Sequence, residues 1–266
     1  MELTQSKELK NIYLGEGQMI TIARQPAAPI LMYHRIGNPR RGSIVSGQYV
    51  SPQLFEKQLR FLQRRGYTPM CLANFLSELR HPKARVKPIA ITFDDGYESA
   101  YAEALPILKK LGITATFFVV AGQVGESNAW DEEKGDVTEC MMGIEQIIDV
   151  HRQGMEIGSH TSSHPDLLLC SDEHAMAEIQ GSKKLLETIL GKPVDWFSYP
   201  YGRENDHIRS LVRSAGYVGA CGTRRSLNTA RTNRFSLGRL NIRATTTIPW
   251  MIYKFARAAR NEVAAG

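Results

Sequence analysis

"PIAITFDDGY", residues 88–97, carries an apolar, β-branched run straight into two adjacent carboxylates. The run reads as a buried strand, and Asp94 and Asp95 stand just past its end. Like charges this close raise each other's proton affinity, so the pair shares a proton, binds a cation or lies in solvent.

Strand-like and helix-like segments alternate on both sides of this stretch. Upstream, "PILMYH" (29–34) reads as a strand. "SPQLFEKQLRFLQRRGY" (51–67) reads as a helix with Ser51 as N-cap, Pro52 in the first turn and Leu54, Phe55, Leu59 and Leu62 on one face. Downstream come a helix over 98–112 ended by Gly112, a buried strand over 113–122 ("ITATFFVVAG") and a helix over 143–154. A short strand at "MEIGSH" (155–160), a helix over 171–191 capped by Ser171, and a strand in "VDWFSYP" (194–200) follow. The remainder reads as a helix over 204–216, strands at "YVGACG" (217–222) and "GRLNIR" (238–243), and a last amphipathic helix from about Trp250. Repeated βα units predict an α/β fold with a mostly parallel sheet, open or closed into a barrel. In either form ligands bind at the carboxyl ends of the strands.

Composition agrees with one sizeable domain, since 42% of the 266 residues are hydrophobic and neither repeats nor a low-complexity linker divides the chain. The formal charge of +6 includes a run of arginines in the C-terminal third: Arg224, Arg225, Arg231, Arg234, Arg239 and Arg243. No nucleic-acid recognition motif accompanies them, so a solvated face or a rim for an anionic substrate is expected, and no nucleic acid partner. Cys71, Cys140, Cys170 and Cys221 lack metal-ligand spacing and read as reduced thiols. The polar N-terminus has no leader-like pattern, and no apolar run reaches the ~18 residues that span a bilayer. As written the chain reads as cytoplasmic, although an exported chain whose leader had been removed reads the same.

The strand-end rule provides a test. His34 follows the first strand, Asp94 and Asp95 the second, His160 and His164 the "MEIGS" strand, and Tyr199 to Gly202 the "DWFS" strand. A core histidine or a capping aspartate accounts for any one of these alone, but their agreement on one face points to a site. In "SHTSSHPDL" (159–167) two histidines four residues apart can face one side of a turn, and Pro165 predicts a loop there rather than a helix. Two imidazoles and one carboxylate supply three ligands and leave positions open, as catalytic metals require. The second carboxylate then stands beside a water whose pKa the cation lowers toward about 7, where it can act as general base. A non-haem iron oxygenase uses the same ligand types but gives the adjacent aspartate no role. The polar stretch "VGESNAWDEEKGDVTEC" (124–140) is long for a βα connection and reads as a functional loop. Trp130, in this loop, and Tyr199 with its neighbour Pro200 are candidates for contact with a sugar ring, whereas Trp196 reads as core.

"TFDDG" (92–96), "HTSSH" (160–164) and "FSYPYG" (197–202), in this order, resemble the motifs of the polysaccharide deacetylase family, the NodB-homology domain of carbohydrate esterase family 4. The N-terminal block "PILMYHRIG…YVSPQLFEKQLRFLQRRGY" further resembles the poly-N-acetylglucosamine deacetylase subgroup, so that the likeness covers most of the chain. The resemblance implies a distorted (β/α) barrel as a single catalytic domain over 26–266, after an N-terminal extension over 1–25. It also implies one divalent metal ion, zinc first, with nickel, cobalt, iron or manganese as alternatives. Matched position by position, Asp94 is the general base, Asp95, His160 and His164 are the metal ligands, and the backbone N–H of Tyr201 is an oxyanion donor.

Two positions depart from the family pattern. Ser198 stands where many members carry an arginine that pairs with the catalytic aspartate, and Arg239 in "GRLNI" is the candidate replacement. The C-terminal "L-x-H" motif that supplies the general acid is absent, and in the exopolysaccharide subgroup the histidine of the "YH" block matches that role, which is His34 here.

The implied activity is metal-dependent hydrolysis of the N-acetyl group of an N-acetylated amino sugar or polysaccharide in a bacterial surface glycan, with the metal's water as nucleophile. One alternative is a deacylase or deformylase acting on a lipid-linked or nucleotide-linked amino sugar in lipopolysaccharide or O-antigen assembly, with peripheral contact to an anionic membrane. Another is an inactive carbohydrate-binding module on the same fold, for which the loss of arginine at Ser198 speaks.

Overall fold

The computed structural model describes residues 9–14, 18–23 and 27–264. Of the N-terminal extension expected over 1–25, it describes only the antiparallel strands β1 (Leu9–Leu14) and β2 (Gln18–Ala23), and the rest of that segment lies outside the described residues.

A curled eight-stranded sheet forms the body. Its first strand is β3 (Ile30–Tyr33), after which β4 (Arg35–Ile36) and β5 (Tyr49–Val50) pair separately with each other. The sheet continues with β6 (Thr68–Met70), β7 (Pro88–Phe93), β8 (Thr116–Val119), β9 (Glu156–Ser159), β10 (Trp196–Ser198), β11 (Gly219–Cys221) and β12 (Leu240–Asn241). The spatial order is β11-β10-β9-β8-β7-β3-β12, with every pairing parallel and β6 added beside the start of β7. The gap between β11 and β12 is bridged by the segment leading into β12: the Leu237 N–H donates to the Ala220 carbonyl and the Gly222 N–H to the Leu237 carbonyl. The chain thus forms the distorted (β/α) barrel that the family resemblance implies, and so settles the open-or-closed alternative left by the βα pattern.

Helices pack around this sheet: α1 (Pro52–Arg64), α2 (Leu72–Arg80), α3 (Leu105–Leu111), the short α4 (Ala129–Glu132), α5 (Ile144–Arg152), α6 (Asp172–Leu190), α7 (Asp206–Ser214) and α8 (Ile248–Ala264). The expected caps are present, with Ser51 accepting from the Leu54 N–H and Ser171 from the His174 N–H. Gly112 closes α3 in the left-handed region at φ 65°, where glycine carries no Cβ penalty. The helix expected over 98–112 begins instead as a π-helical turn over Ala100–Ala104. The strand expected over 113–122 is hydrogen-bonded as strand only over Thr116–Val119.

Strand alternation divides the core. Tyr33, Phe93 and Phe117 join Phe55 of α1 in an aromatic stack, with Phe93 and Phe117 centroids 4.7 Å apart. Ile30, Ala90, Phe118, Trp196 and Cys221 form a second cluster with Leu72, Phe75, Leu76 and Leu79 of α2. Sequence reading did not pick out β6 or α2, the elements that pack against this cluster at the amino ends of the strands. There Glu156, at the start of β9, accepts from Thr116 Oγ1 (2.6 Å), Trp196 Nε1 (2.8 Å) and the Leu72 N–H (3.1 Å). A satisfied polar cluster seals this end and leaves the carboxyl ends of the strands as the open end.

Candidate metal centre and active site

Sheet hydrogen bonding continues one residue past several strands and so hangs the polar residues on the barrel mouth. The Asp94 N–H donates to the Tyr33 carbonyl, the His160 N–H to the Val119 carbonyl and the Tyr199 N–H to the Cys221 carbonyl. Regular strand geometry would send Asp94 and Asp95 to opposite faces. Asp95 instead has φ 74°, which ends the alternation and lets both carboxylates, 3% and 4% exposed, reach one cleft.

Of the five non-glycine residues with left-handed φ among the described residues, four are at this mouth: Asp95, Thr161, His164 and Tyr201. Each such conformation costs roughly 1–3 kcal/mol and persists where surrounding contacts over-determine it. For the histidine loop those contacts come from α6. Glu178 Oε2 accepts from the N–H groups of Ser162 and Ser163, both at 2.9 Å, and its Oε1 accepts from Ser163 Oγ at 2.8 Å. Gly122 supports the same loop from below, where a Cβ would lie 2.6 Å from the Ser162 carbonyl oxygen. Sequence reading missed Glu178, although a glutamate inside the buried stripe of Ala175, Ile179, Ser182 and Leu186 was an available signal.

The structure brings Asp95, His160 and His164 together. Asp95 Oδ1 lies 3.3 Å from His160 Nε2 and 3.5 Å from His164 Nε2, and all three side chains are buried. His160 Nδ1 donates to the Ser198 carbonyl at 2.7 Å, and despite burial the Asp95 and Asp94 carboxylates raise the imidazole's proton affinity, so a cation at Nε2 would take the place of a proton there. Despite burial, the His160, His34 and His164 imidazoles hold the Asp95 carboxyl far below the usual range. Burial, with His160 beside it, pushes His164 down to about 3, so that imidazole is neutral and free to ligate. Two neutral-capable imidazoles and an ionised carboxylate within 4.8 Å of one another suit a divalent cation.

Asp94 is held by Arg239. Nη1 donates to Oδ1 at 2.6 Å and Nη2 to Oδ2 at 2.7 Å. The remaining guanidinium donors reach Ser198 Oγ (2.8 Å), Thr92 Oγ1 (3.3 Å) and the Gly222 carbonyl (2.9 Å), so all five N–H groups have acceptors. A serine at 198 thus accommodates, and bonds to, a guanidinium arriving from the start of β12. Against the cost of burial, Arg239 and His160 keep the Asp94 carboxyl below its ordinary range. His34 borders the same cleft; its Nδ1 is buried without a partner, and burial lowers its proton affinity more than Asp95 and Asp94 raise it.

The cleft, of about 290 Å³, is also lined by Trp130, Asp131, Tyr201, Gln48, Asn241 and Arg225. Trp130 stacks one face on His164, with centroids 4.7 Å apart, and is 7% exposed. Tyr201 stands edge-on to the same imidazole and is 44% exposed, in a turn closed by the Gly202 N–H to the Tyr199 carbonyl. Of the other two expected sugar contacts, Tyr199 borders the cleft and Pro200 does not. The Tyr199 ring is 1% exposed, packs on Phe197 and donates its hydroxyl to the Phe235 carbonyl, so it belongs to the core. Pro200 is buried in the turn and does not line the cleft.

The 124–140 loop is fixed by Arg35, another residue missed from sequence. Its fully buried guanidinium donates to the Tyr97 hydroxyl (2.6 Å) and Asp131 (2.9 Å), and pairs with Asp136 at 3.2 Å. Glu139 accepts from the Tyr49 hydroxyl at 2.5 Å. The acidic run of the loop therefore meets side chains of the N-terminal block.

Fold and site together define an α/β barrel with a candidate metal centre and a separately anchored carboxylate at the carboxyl ends of its strands. Residues 81–220 match the polysaccharide deacetylase family model, and the chain belongs to that family. YxkH of Bacillus subtilis is 32% identical over 194 residues, covering 71% of this chain and 62% of that protein, so the chain spans less than two thirds of this relative. The poly-beta-1,6-N-acetyl-D-glucosamine N-deacetylase of Staphylococcus aureus is 27% identical over 202 residues, 73% of this chain and 67% of that protein. Among solved structures, the Streptococcus pyogenes deacetylase PplD in complex with acetate superimposes with a TM-score of 0.74 at 27% identity, covering 87% of this chain and 99% of that one.

Proposed function

We propose that this protein hydrolyses the N-acetyl amide of an N-acetylated amino sugar, as a unit of a polysaccharide or of a precursor. The observation that carries the reading is the pairing of Asp94, chelated by Arg239, with the Asp95–His160–His164 group beside it in one cleft. Family membership and the deacetylase named among its relatives support it.

Asp95, His160 and His164 would hold the divalent ion, zinc being the first candidate for this donor set. When bound, the ion supplies Lewis acidity toward the acyl carbonyl and acidifies a water. Asp94, ionised because Arg239 holds it so, accepts the proton of the attacking water. Arg239 acts through Asp94, fixing the carboxylate's direction with two bonds while its other donors tie it to the barrel wall. The developing oxyanion is met by the Tyr201 backbone N–H, and His34 protonates the departing sugar amine. Burial lowers the His34 proton affinity, so its imidazolium is a stronger acid than a free one but the minor form at rest, and it must take up a proton before it donates. Trp130 closes the back of His164 and excludes water from the ligand.

An inactive binding module was suggested by Ser198 alone. The Arg239 fork removes that ground, because the base keeps a guanidinium partner. Acetate release from N-acetylglucosamine oligomers, assayed together with metal analysis of the purified protein, tests the reading. Turnover with about one bound divalent ion per chain is expected for a site of this ligand count. A metal-free protein that binds glycan and releases no acetate would restore the binding-module reading.

A further inference from the structure

One side of the cleft carries Arg225, with Arg243 and Lys254 next to other residues of its lining. The Arg243 guanidinium packs on Gly47, 3.7 Å from where a Cβ would sit, next to the cleft-lining Gln48. Lys254 Nζ donates to the carbonyl of Asn241, another lining residue, at 2.9 Å. Arg35, Arg203, Arg209 and Arg239 each meet a carboxylate. Among the described residues, Arg225, Arg243 and Lys254 form no such pair. Lys254 instead feels the other two, and burial together with these guanidiniums lowers its proton affinity.

Arg225 and Arg243 are exposed and Lys254 is half-buried, so solvent screens part of their repulsion and an anion entering the cleft would offset the rest. Gln48 Oε1 and Asn241 Oδ1, beside these cations, are buried acceptors without partners, suited to sugar hydroxyls. Two guanidiniums and an ammonium match the charge and oxygen count of a phosphoryl group better than those of a single carboxylate.

We propose that Arg225, Arg243 and Lys254 form an anion subsite beside the deacylation centre, and that the amino-sugar substrate carries a phosphate ester or diphosphate there. This rests on the deacetylase reading and narrows its substrate class to phosphorylated sugars, whether soluble or lipid-linked.

The test compares N-acetylglucosamine 1-phosphate with the uncharged methyl glycoside of N-acetylglucosamine, for the wild type and for the triple variant Arg225→Gln, Arg243→Gln, Lys254→Met. The wild-type ratio of kcat/KM, phosphorylated over neutral, is expected to be about tenfold or more, given the strength of charge-assisted bonds, and to fall toward unity in the variant and at high salt. A wild-type ratio near unity, or a ratio that survives the triple substitution, overturns the subsite. Calorimetric binding of the same two sugars needs no turnover and separates the two claims. Charge-dependent binding without acetate release keeps the subsite and removes the deacetylase reading, whereas turnover without preference does the reverse. Vesicles of anionic phospholipid form the third arm, because Trp250 and Tyr253 are exposed on α8 beside Lys254. Vesicle binding lost in the variant, with no gain for the sugar phosphate, reassigns the cations to a membrane surface and overturns the proposal.

Discussion

Arg239 and Asp94 meet through two bonds of 2.6 and 2.7 Å although 145 positions separate them in the chain. Arg239→Lys keeps the charge and loses the fork, and kcat/KM is expected to fall by about 100-fold, the lower range for a misdirected general base. Circular dichroism unchanged from wild type would accompany that loss, and full activity in the lysine variant would remove the positioning role.

The same pair sets a pH dependence. Arg239 lowers the folded-state pKa of Asp94, so its contribution to stability is present above the unfolded value of about 3.9 and is lost as pH falls through the folded value. Arg239→Met leaves a buried carboxylate unpaired and should cost roughly 3–5 kcal/mol at neutral pH. Asp94 then keeps its proton to higher pH. Denaturant unfolding across the acid range should show the wild-type acid loss shrink in the variant, and the acid limb of kcat/KM should move upward.

Asp95→Asn is expected to lose bound metal and activity together, whereas Asp94→Asn should retain the metal and lose turnover. Elemental analysis of the two purified variants decides between them. Equal metal content in both would break the division of roles between the neighbouring aspartates.

Glu178 touches no ligand atom, yet it accepts three bonds from the loop that carries His164. Glu178→Gln turns an amide donor toward that loop and should weaken metal affinity by about 10–100-fold, as outer-shell changes commonly do. Competition with a chelator reads this directly, and an unchanged affinity would mean that the loop holds itself.

Glu156 makes the contrasting case at the closed end. Glu156→Gln points an N–H₂ group at existing donors and should cost about 1–3 kcal/mol of stability, with metal content and KM unchanged. A selective loss of activity would show that the two ends of the barrel are coupled.

Much of the site is local and therefore legible in sequence. The apolar run ending in Asp94 and Asp95, the spacing of His160 and His164, and the βα alternation all follow from strand burial and the rule that ligands gather at the strands' carboxyl ends. The direction of the Tyr199 ring was not legible, because "FSYPYG" places an aromatic after a strand without revealing which way it turns, and the tertiary structure turns the ring into the core while the residue still borders the cleft. Glu178 and Arg35 were missed because each acts on a segment remote from it in the chain.

The sequence by itself determined the alternating elements, the identity of the reactive side chains and their common end of the barrel, because hydrophobic period and strand ends are properties of short segments. Arg239 was a candidate partner of Asp94 in the sequence, but only the tertiary structure places its fork on that carboxylate, since it reaches it across the barrel. The tertiary structure also decided that left-handed backbone at Asp95 and His164 brings the candidate ligands together, a strain sustained only by contacts from other elements.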